Sequence, residues 1–105
     1  MQSNNKKILG QIKKKLHALA PDARAILFGS RARGDARSAS DWDILILLNK
    51  EKIELSDHNT IVYPLIELGW NLDMNFSIKL YTKKEWASRY FTLFYKNVEK
   101  EGVAL

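Results

Sequence analysis

The chain has 105 residues, a formal charge of +5 at pH 7 and no cysteine, with 46% hydrophobic and 28% charged residues. These values predict one globular domain over residues 1–105 and exclude a disordered chain, disulfide bonds and thiolate metal sites. No apolar run approaches the roughly 18 residues of a membrane-spanning helix, and no apolar stretch follows the N-terminus as in a signal peptide. We therefore expect a cytoplasmic protein without a membrane partner.

Basic residues are concentrated in the first part of the chain, where residues 1–40 carry nine Lys or Arg against two Asp. Apolar residues at helical spacing predict an amphipathic helix over residues 4–19, capped by one of residues 3–5 and ended by Pro21. A basic face of this kind attracts polyphosphate or nucleic acid, but it serves equally well as a solvated helix surface. Because no aromatic residues alternate with the lysines, nucleic-acid binding is the least favoured function.

Two short apolar runs, residues 24–28 and 43–48, predict buried strands on either side of a polar, arginine-rich segment. After Asp43, the side chains on both faces of the second run are apolar, which is typical of a central strand. Between the strands, Ser30 takes the position of a helix N-cap, and Gly34 ends the short turn that follows it.

The second half of the chain begins with a predicted helix and a predicted strand. The helix is expected over residues 56–68, capped by Ser56 and ended by Gly69, with Pro64 kinking it or marking its true start. Strict alternation of apolar and polar residues over 71–81 predicts a third strand. We expect this strand to pair beside the central one.

Thr82 and Glu85 form a capping-box pattern that predicts a helix from Lys83, and a last helix is expected to end at Gly102. The aromatic residues of this part of the chain recur at helical spacing. They are Trp86, Tyr90, Phe91, Phe94 and Tyr95. Such a stripe favours core packing or a subunit interface over stacking on a base.

Asp41 and Asp43 are separated by one residue at the mouth of the second strand, so their carboxylates project to one face. Paired carboxylates favour Mg²⁺, which takes oxygen ligands and is completed by water and phosphate oxygens. Taken alone, the pair is more typical of a turn whose aspartates accept backbone N–H groups. Upstream, Gly29 permits close approach of the backbone to a ligand, and Ser30 supplies a hydroxyl beside free N–H groups, as phosphate sites at helix N-termini do.

Gly29-Ser30, ten intervening residues and Asp41-Trp42-Asp43 form one combined pattern. This pattern, together with the segment GSRARGDA, resembles the DNA polymerase beta-like nucleotidyltransferase superfamily in its minimal nucleotidyltransferase branch. The resemblance implies an α/β (α+β) fold, with a small mixed sheet of three to four strands and helices packed on it.

The resemblance also implies an activity, the Mg²⁺-dependent transfer of a nucleoside monophosphate from a nucleoside triphosphate to an acceptor hydroxyl. The preferred version transfers AMP from ATP and releases pyrophosphate. In this branch the Asp-x-Asp pair, here Asp41 and Asp43, holds the metal. The Gly-Ser pair, here Gly29 and Ser30, grips the triphosphate.

Two further groups complete the implied site. Arg31 or Arg33 would reach the outer phosphates of the nucleotide. The family also supplies a third carboxylate from the next strand, which binds a second metal ion and activates the acceptor. Asp73 has the matching parity, whereas the more central positions on the same face are Asn75 and Ser77. If a central position is the equivalent one, the second metal is weakened, and nucleotide binding survives with little transfer.

The resemblance further implies a partner, because a chain of this length carries no separate substrate domain. The concrete version is a helical ribonuclease toxin of the HEPN type, which the chain would modify with AMP as its antitoxin; a homodimer is also expected as an assembly. The alternative function is a catalytically weak nucleotide-binding or antitoxin-like interaction module that blocks its partner. The third carboxylate distinguishes the enzyme from the module.

Overall fold

Helices and strands follow one another along the chain, and the strands form one sheet. The computed structural model describes residues 3–105. In chain order the elements are α1 (Ser3–Leu19), β1 (Arg24–Phe28), α2 (Ser30–Arg33), β2 (Trp42–Leu48), α3 (Leu55–Asp57), a π-helical turn (His58–Val62), α4 (Tyr63–Asn71), β3 (Phe76–Thr82), α5 (Lys83–Ser88), α6 (Leu93–Glu101) and β4 (Val103–Ala104).

The four-stranded sheet has the order β3-β2-β1-β4. β2 and β3 run parallel, whereas β1 is antiparallel to both β2 and β4. The register places Asp43 of β2 between Phe28 of β1 and Ser77 of β3. The predicted small mixed sheet with helices packed on it is therefore confirmed. The two-residue strand β4 was not predicted, because so short a strand has no recognisable periodicity.

β2 lies at the centre of the sheet because it is apolar on both parities and both of its faces are covered. Its even-numbered side chains, beginning with Trp42, pack against α1, the π-helical turn and α4. The odd-numbered Leu45 and Leu47 pack with Trp86 of α5 and Val98 of α6. Removing this apolar surface from water stabilises the fold by about 25 cal/mol for each Å² buried.

We call the side of the sheet on which α5 and α6 pack the α6 face. Its strand residues include Phe28, Asp43, Ser77 and Lys79. The helices cover the middle of this face, where Leu45 is fully buried, but they leave Asp43 only half-buried. A ligand can therefore reach the sheet at the end of the α6 face that carries Asp43.

The helical region before β3 differs from the prediction at its start. α3 begins at Leu55 and is capped by Glu54, not by Ser56, because the Asp57 carboxylate accepts the Glu54 N–H and completes a capping box. Pro64 lies in the first turn of α4. It therefore marks the start of that α-helix, which is one of the two outcomes predicted for it.

The third strand is shorter than predicted, because α4 continues to Asn71 and the chain then turns before β3. The N–H of Met74 donates to the carbonyl of Gly69 over 2.8 Å and closes this turn. Gly69 does not end α4 but lies within it, where a Cβ atom would come within 3.0 Å of the Phe76 ring. The alternating residues 72–75 resemble a strand in sequence, but they form the turn.

The prediction for the aromatic residues holds in part. The capping box of Thr82 and Glu85 at the start of α5 is confirmed. Trp86, in the same helix, is buried in the core. Tyr90 and Phe91 instead follow the end of α5 and are 66% and 68% exposed. The aromatic stripe is thus core at one end and surface at the other.

The first and last helices end as predicted, and Asn5 is excluded as the cap of α1. Asn5 lies inside α1 and does not cap it, and the side chains of Ser3 and Asn4 lie outside the described part of the structure. Gly102 follows the last residue of α6 and serves as its C-cap. Across residues 3–105, no helix has both the length and the apolar character needed to cross a membrane.

Candidate active site

Asp41 and Asp43 lie together at the open end of the α6 face, as their spacing predicts. Asp43 is the second residue of β2, and Asp41 immediately precedes the strand. Asn75, which precedes β3, donates from Nδ2 to Oδ1 of Asp41 over 2.9 Å. This bond orients the Asp41 carboxylate through one of its two oxygens.

Gly29 follows β1 with its backbone against the carboxylate of Asp43. Its φ is 75°, a value that residues with a side chain rarely adopt. A Cβ atom at this position would overlap Oδ2 of Asp43. Glycine is therefore required both by the backbone conformation and by the close approach. The Gly-Ser turn and the carboxylate pair form one site.

Gly29, not Ser30, is the N-cap of α2. Its carbonyl accepts the N–H groups of Ala32 and Arg33 over 3.1 and 3.0 Å, and Ser30 is the first helical residue. The first N–H groups of a helix have no carbonyl partner within that helix. The turn therefore presents backbone N–H groups and the Ser30 hydroxyl beside the carboxylate pair, and groups of this kind bind phosphate oxygens.

The carboxylate of Asp43 has an unfavourable environment for its own charge. Burial raises the pKa of Asp43, and the neighbouring carboxylate of Asp41 raises it further. The positive charges of Lys79 and Arg33 act in the opposite direction. A bound cation would stabilise both carboxylates, so the pair has the electrostatic character of a metal site.

Lys79 belongs to the site, although we did not predict it from the sequence. It lies two residues after Ser77 on β3 and on the same face, with Nζ 6.0 Å from the centre of the Phe94 ring. The alternation along β3 could have identified it, because residues 75, 77 and 79 share one parity. Lys79 adds a positive charge on the β3 side of Asp43, across β2 from the Gly-Ser turn.

The side chain of Arg31 is held inside the fold, which favours Arg33 over Arg31 as the predicted phosphate contact. Its side chain is 7% exposed and stacks on the ring of Trp42, with the guanidinium carbon 4.9 Å from the ring centre. Nη2 donates to the carbonyls of Ser38 and Ser40 over 3.2 and 2.9 Å. Arg31 thereby holds the loop that leads into Asp41.

Replacing Arg31 by alanine is expected to lower the free energy of unfolding by about 2–3 kcal/mol, because charge-assisted hydrogen bonds inside the protein are lost. Thermal or urea unfolding measures this change. Arg37→Ala is the matched control, since Arg37 lies in the same loop with an exposed side chain. Equal stability of the two variants would contradict the structural role of Arg31.

Arg33 is exposed beside the Gly-Ser turn and remains the arginine expected to contact phosphate. It pairs with Asp35 over 3.2 Å and with Glu101 over 3.4 Å. Exposed ion pairs of this kind contribute little to stability, so a phosphate can replace them at low cost. Arg33 also lines a cavity of about 290 Å³ with Gly29 and Phe94.

Asp73 does not lie on the strand beside Asp43, and the prediction that placed it there is wrong. It lies in the turn before β3, exposed and with a φ of 56°. The register pairs Asp43 with Ser77. Among residues 3–105, no three His, Asp or Glu side chains are grouped closely enough to hold one metal ion. The strand position opposite Asp43 therefore carries a hydroxyl, not a carboxylate.

Asp41 and Asp43 suit Mg²⁺ by the chemistry of their donors. Mg²⁺ is commonly bound through one or two carboxylates together with water and substrate phosphates. Two carboxylates beside a turn with free backbone N–H groups fit one such ion. A second ion would lack the predicted third carboxylate, so the described donors do not support a two-metal arrangement.

The fold and the site together define a class of protein: a mixed α/β sheet with a carboxylate pair beside a Gly-Ser turn at the ends of two neighbouring strands. Residues 9–105 match the family model described as the nucleotidyltransferase domain. The chain therefore belongs to the nucleotidyltransferase domain family, and this membership supports nucleotidyl transfer as its general activity.

The same fold occurs in a solved structure. A Sulfolobus solfataricus protein, described provisionally as a nucleotidyltransferase, is 24% identical to this chain with a TM-score of 0.62. The similarity covers 93% of this chain and 76% of that one. At this identity it concerns the fold alone. The comparison with curated proteins finds no match.

Proposed function

We propose that the chain transfers AMP from ATP to an acceptor hydroxyl in a Mg²⁺-dependent reaction. The observation that supports this function most directly is the contact of the Gly29 backbone with the Asp43 carboxylate. It joins a phosphate-binding turn to a metal-binding pair at a position open to solvent. The choice of ATP follows from the resemblance to the minimal nucleotidyltransferase branch.

In the proposed reaction, the acceptor hydroxyl oxygen forms a bond to the α-phosphorus of ATP. The bond from that phosphorus to the oxygen bridging to the β-phosphate breaks, and pyrophosphate leaves with its electron pair. The hydroxyl proton passes to water. Mg²⁺, when bound, offsets the negative charge of the phosphates. The protein contributes mainly position and charge, as in other phosphoryl transfers.

The residues of the site take separate roles in this proposal. The N–H groups and hydroxyl of the Gly29-Ser30 turn bind the β- and γ-phosphates, and Arg33 reaches them from the solvent side. Asp41 and Asp43 hold the Mg²⁺. Lys79 offers positive charge from β3, on the other side of Asp43.

Incubation with Mg²⁺ and α-labelled ATP tests the proposal directly. We expect label to become covalently attached to an acceptor and pyrophosphate to be released, and we expect neither when EDTA removes Mg²⁺. Incubation with γ-labelled ATP is the matched control, because its label leaves with pyrophosphate. Transfer of the γ-label to the acceptor, or transfer that persists in EDTA, would contradict the proposed reaction.

Ser77 supports a second candidate function, a nucleotide-binding module with little transfer. Its hydroxyl occupies the strand position opposite Asp43, where a third carboxylate would bind a second metal ion and activate the acceptor. A module of this kind binds Mg²⁺-ATP and occludes a partner. It is distinguished from the enzyme by Mg²⁺-ATP binding without label transfer to any acceptor.

Replacing Ser77 by aspartate is expected to increase the affinity for Mg²⁺ by about tenfold, since the new carboxylate would face the existing pair. If the wild type is the weak module, transfer should rise as well. Isothermal titration with Mg²⁺ in the presence of a non-hydrolysable ATP analogue measures the affinity. Ser77→Asn controls for side-chain size without charge. Equal Mg²⁺ affinity of the two variants would mean that position 77 does not face the metal.

We further propose that the acceptor hydroxyl belongs to a partner protein, in the concrete version a HEPN-type toxin that the chain modifies as its antitoxin. The half-exposed Asp43 supports an acceptor that arrives from outside. Tyr90 and Phe91, between α5 and α6, and Leu93, the first residue of α6, are 66%, 68% and 73% exposed. They supply an apolar surface for contact with another protein. A homodimer is the other assembly that such a surface can support.

Co-expression with a small helical protein encoded next to this chain tests the antitoxin proposal, especially where that protein carries an Arg-x-x-x-x-His motif. We expect its mass to increase by one or more AMP groups, and we expect Asp43→Ala to abolish the increase. A stable complex without modification, at saturating Mg²⁺-ATP, would favour the binding module.

A further inference from the structure

A second open pocket lies beside Asp41, where the chain enters β2 and β3. Its volume is about 420 Å³. The wall is built from the loop before β2 and from the turn between α4 and β3. Its residues include Ser38, Ser40, Trp70, Asp73, Met74 and Asn75. The site described above leaves this pocket without a role.

The strand order sets this pocket apart from the phosphate-binding turn. Across the sheet, Gly29 follows β1, Asp43 lies at the start of β2, and Asn75 precedes β3. Asn75 is part of the pocket wall and donates a hydrogen bond to Asp41 over 2.9 Å. The carboxylate pair therefore lies between the Gly-Ser turn and the pocket.

The geometry of phosphoryl transfer relates this strand order to the side from which an acceptor attacks. The attacking and leaving oxygens lie roughly in line on opposite sides of the phosphorus. With the β- and γ-phosphates at the Gly29-Ser30 turn, the leaving group lies toward β1. With this placement of the nucleotide, the attacking hydroxyl approaches from the side of β3, and the pocket adjoins Asp41 on that side through Asn75.

The lining of the pocket limits the chemistry of the acceptor. Trp70 is 62% exposed, whereas Trp42 and Trp86 are 0% and 2% exposed, so its indole offers an accessible flat apolar surface. Asp73 lines the pocket and Asp41 lies at its edge, and none of the lining residues is basic. The negative charge of Asp73 repels an anionic acceptor, such as a nucleic-acid end, and attracts a cation, whereas the charge of Asp41 is offset by the Mg²⁺ that it would hold.

We propose that this pocket is the acceptor subsite, and that it takes a neutral or cationic group whose hydroxyl lies beside a flat apolar face packed on Trp70. This rests on the proposed nucleotidyl transfer. The hydroxyl oxygen held there forms the new bond to the α-phosphorus and loses its proton to water. Pyrophosphate leaves on the opposite side, toward Gly29.

Quenching of tryptophan fluorescence by acrylamide measures binding independently of activity. It reports on Trp70, because the other two tryptophans are buried. Three benzyl alcohols that differ mainly in charge serve as probes: para-(hydroxymethyl)benzylamine, para-methylbenzyl alcohol and para-(hydroxymethyl)benzoate. We expect the cationic and neutral probes to protect Trp70 from quenching, and the anionic probe to bind more weakly than the cationic one by about tenfold or more.

Variants separate the roles of the two side chains, with isothermal titration of the same probes as the measurement. Asp73→Asn is expected to remove the preference for the cationic probe and to retain the neutral one. Trp70→Ala is expected to weaken both, Trp70→Phe to restore them in part, and neither to change the affinity for Mg²⁺-ATP. Phe91→Ala is the matched control, since Phe91 is a similarly exposed aromatic residue that does not line the pocket.

Three results would overturn the proposal. The first is protection of Trp70 by Mg²⁺-ATP alone together with weaker Mg²⁺-ATP binding by Trp70→Ala, because the pocket would then hold the nucleobase. The second is tightest binding of the anionic probe, and the third is no binding of any probe at millimolar concentration. Failure of the proposed function has a different signature: Mg²⁺-ATP does not bind although the probes still protect Trp70. The pocket would then be a binding site without an acceptor role.

Discussion

Replacing Asp43 by asparagine is expected to lower the rate of nucleotidyl transfer by about two to three orders of magnitude, because the proposed metal site loses one of its two carboxylates. Asparagine keeps the size of the side chain, so the contact with Gly29 is retained. Transfer from α-labelled ATP measures the rate, and the rise in melting temperature on adding Mg²⁺-ATP measures binding. A rate within tenfold of the wild type would remove Asp43 from the proposed metal site.

The same substitution is expected to raise the melting temperature of the metal-free protein at neutral pH. Burial raises the pKa of Asp43, because the folded state disfavours the charged carboxylate. The folded protein therefore binds this proton more tightly than the unfolded chain does. The contribution of Asp43 to stability falls as the pH rises from the ordinary pKa of an aspartate through the raised one. Thermal unfolding in EDTA, from acid to neutral pH, measures the difference between the variant and the wild type.

Asp57→Asn is the matched control. Asp57 lies near the other end of β2, and its pKa is shifted in the opposite direction from that of Asp43. The N–H of Glu54, at 2.7 Å, and then the Lys50 ammonium, at 2.9 Å, lower the pKa of Asp57. The stabilisation by Asp57 is present above the pKa of an unfolded aspartate and is lost as the pH falls through the lower folded pKa. We expect Asp57→Asn to cost about 1–3 kcal/mol at neutral pH and to leave transfer intact. Destabilisation by Asp43→Asn in EDTA would contradict the assigned pKa direction.

The parts of the site that lie close together in sequence could be predicted from it. Gly29 follows one apolar run, and Asp43 begins the next. The two runs form neighbouring strands that are joined directly by residues 29–41, so local patterns suffice to bring the two residues together. The residue opposite Asp43 on β3 could not be predicted in this way. It depends on the register of two parallel strands, which is set by where α4 ends and where the turn closes. Asp73 and Ser77 have the same parity, and only the turn at residues 72–75 decides between them.

The roles of the two arginines could not be separated from the sequence either. Arg31 and Arg33 lie on the same short helix and have the same phosphate-binding chemistry. The buried Arg31 donates to the loop carbonyls of Ser38 and Ser40, whereas Arg33 makes only exposed ion pairs that a ligand can replace. Burial is a property of the packed fold, and Trp42 determines it here by stacking on Arg31. The position of Lys79, by contrast, could have been predicted from the sequence. Once β3 is known to carry a polar face, its alternation places Lys79 on the same face as Ser77.

Replacing Gly29 by alanine is expected to abolish transfer and to lower the free energy of unfolding by about 1–3 kcal/mol. Part of this cost arises because alanine disfavours the backbone conformation at position 29, where φ is 75° and ψ is −158°, a combination that essentially only glycine adopts. The remainder arises because the new Cβ would overlap Oδ2 of Asp43, which forces the carboxylate to move. The displaced carboxylate can no longer pair with Asp41 around one ion, so the Mg²⁺-ATP-dependent rise in melting temperature should be lost as well.

Gly34→Ala and an Asp43→Ala background together separate the two causes. Gly34 also has a positive φ, 86°, but a Cβ atom there meets nothing within 4 Å. This variant should therefore lose stability through the backbone alone, by about 1–2 kcal/mol, and should retain transfer and the response to Mg²⁺-ATP. The larger loss of stability expected for Gly29→Ala combines its own backbone cost with the displacement of Asp43. The part due to Asp43 should disappear when Gly29→Ala is made in an Asp43→Ala background, which removes the carboxylate that the new Cβ meets. Equal activity of Gly29→Ala and Gly34→Ala would mean that the contact between Gly29 and Asp43 does not position the metal-binding pair.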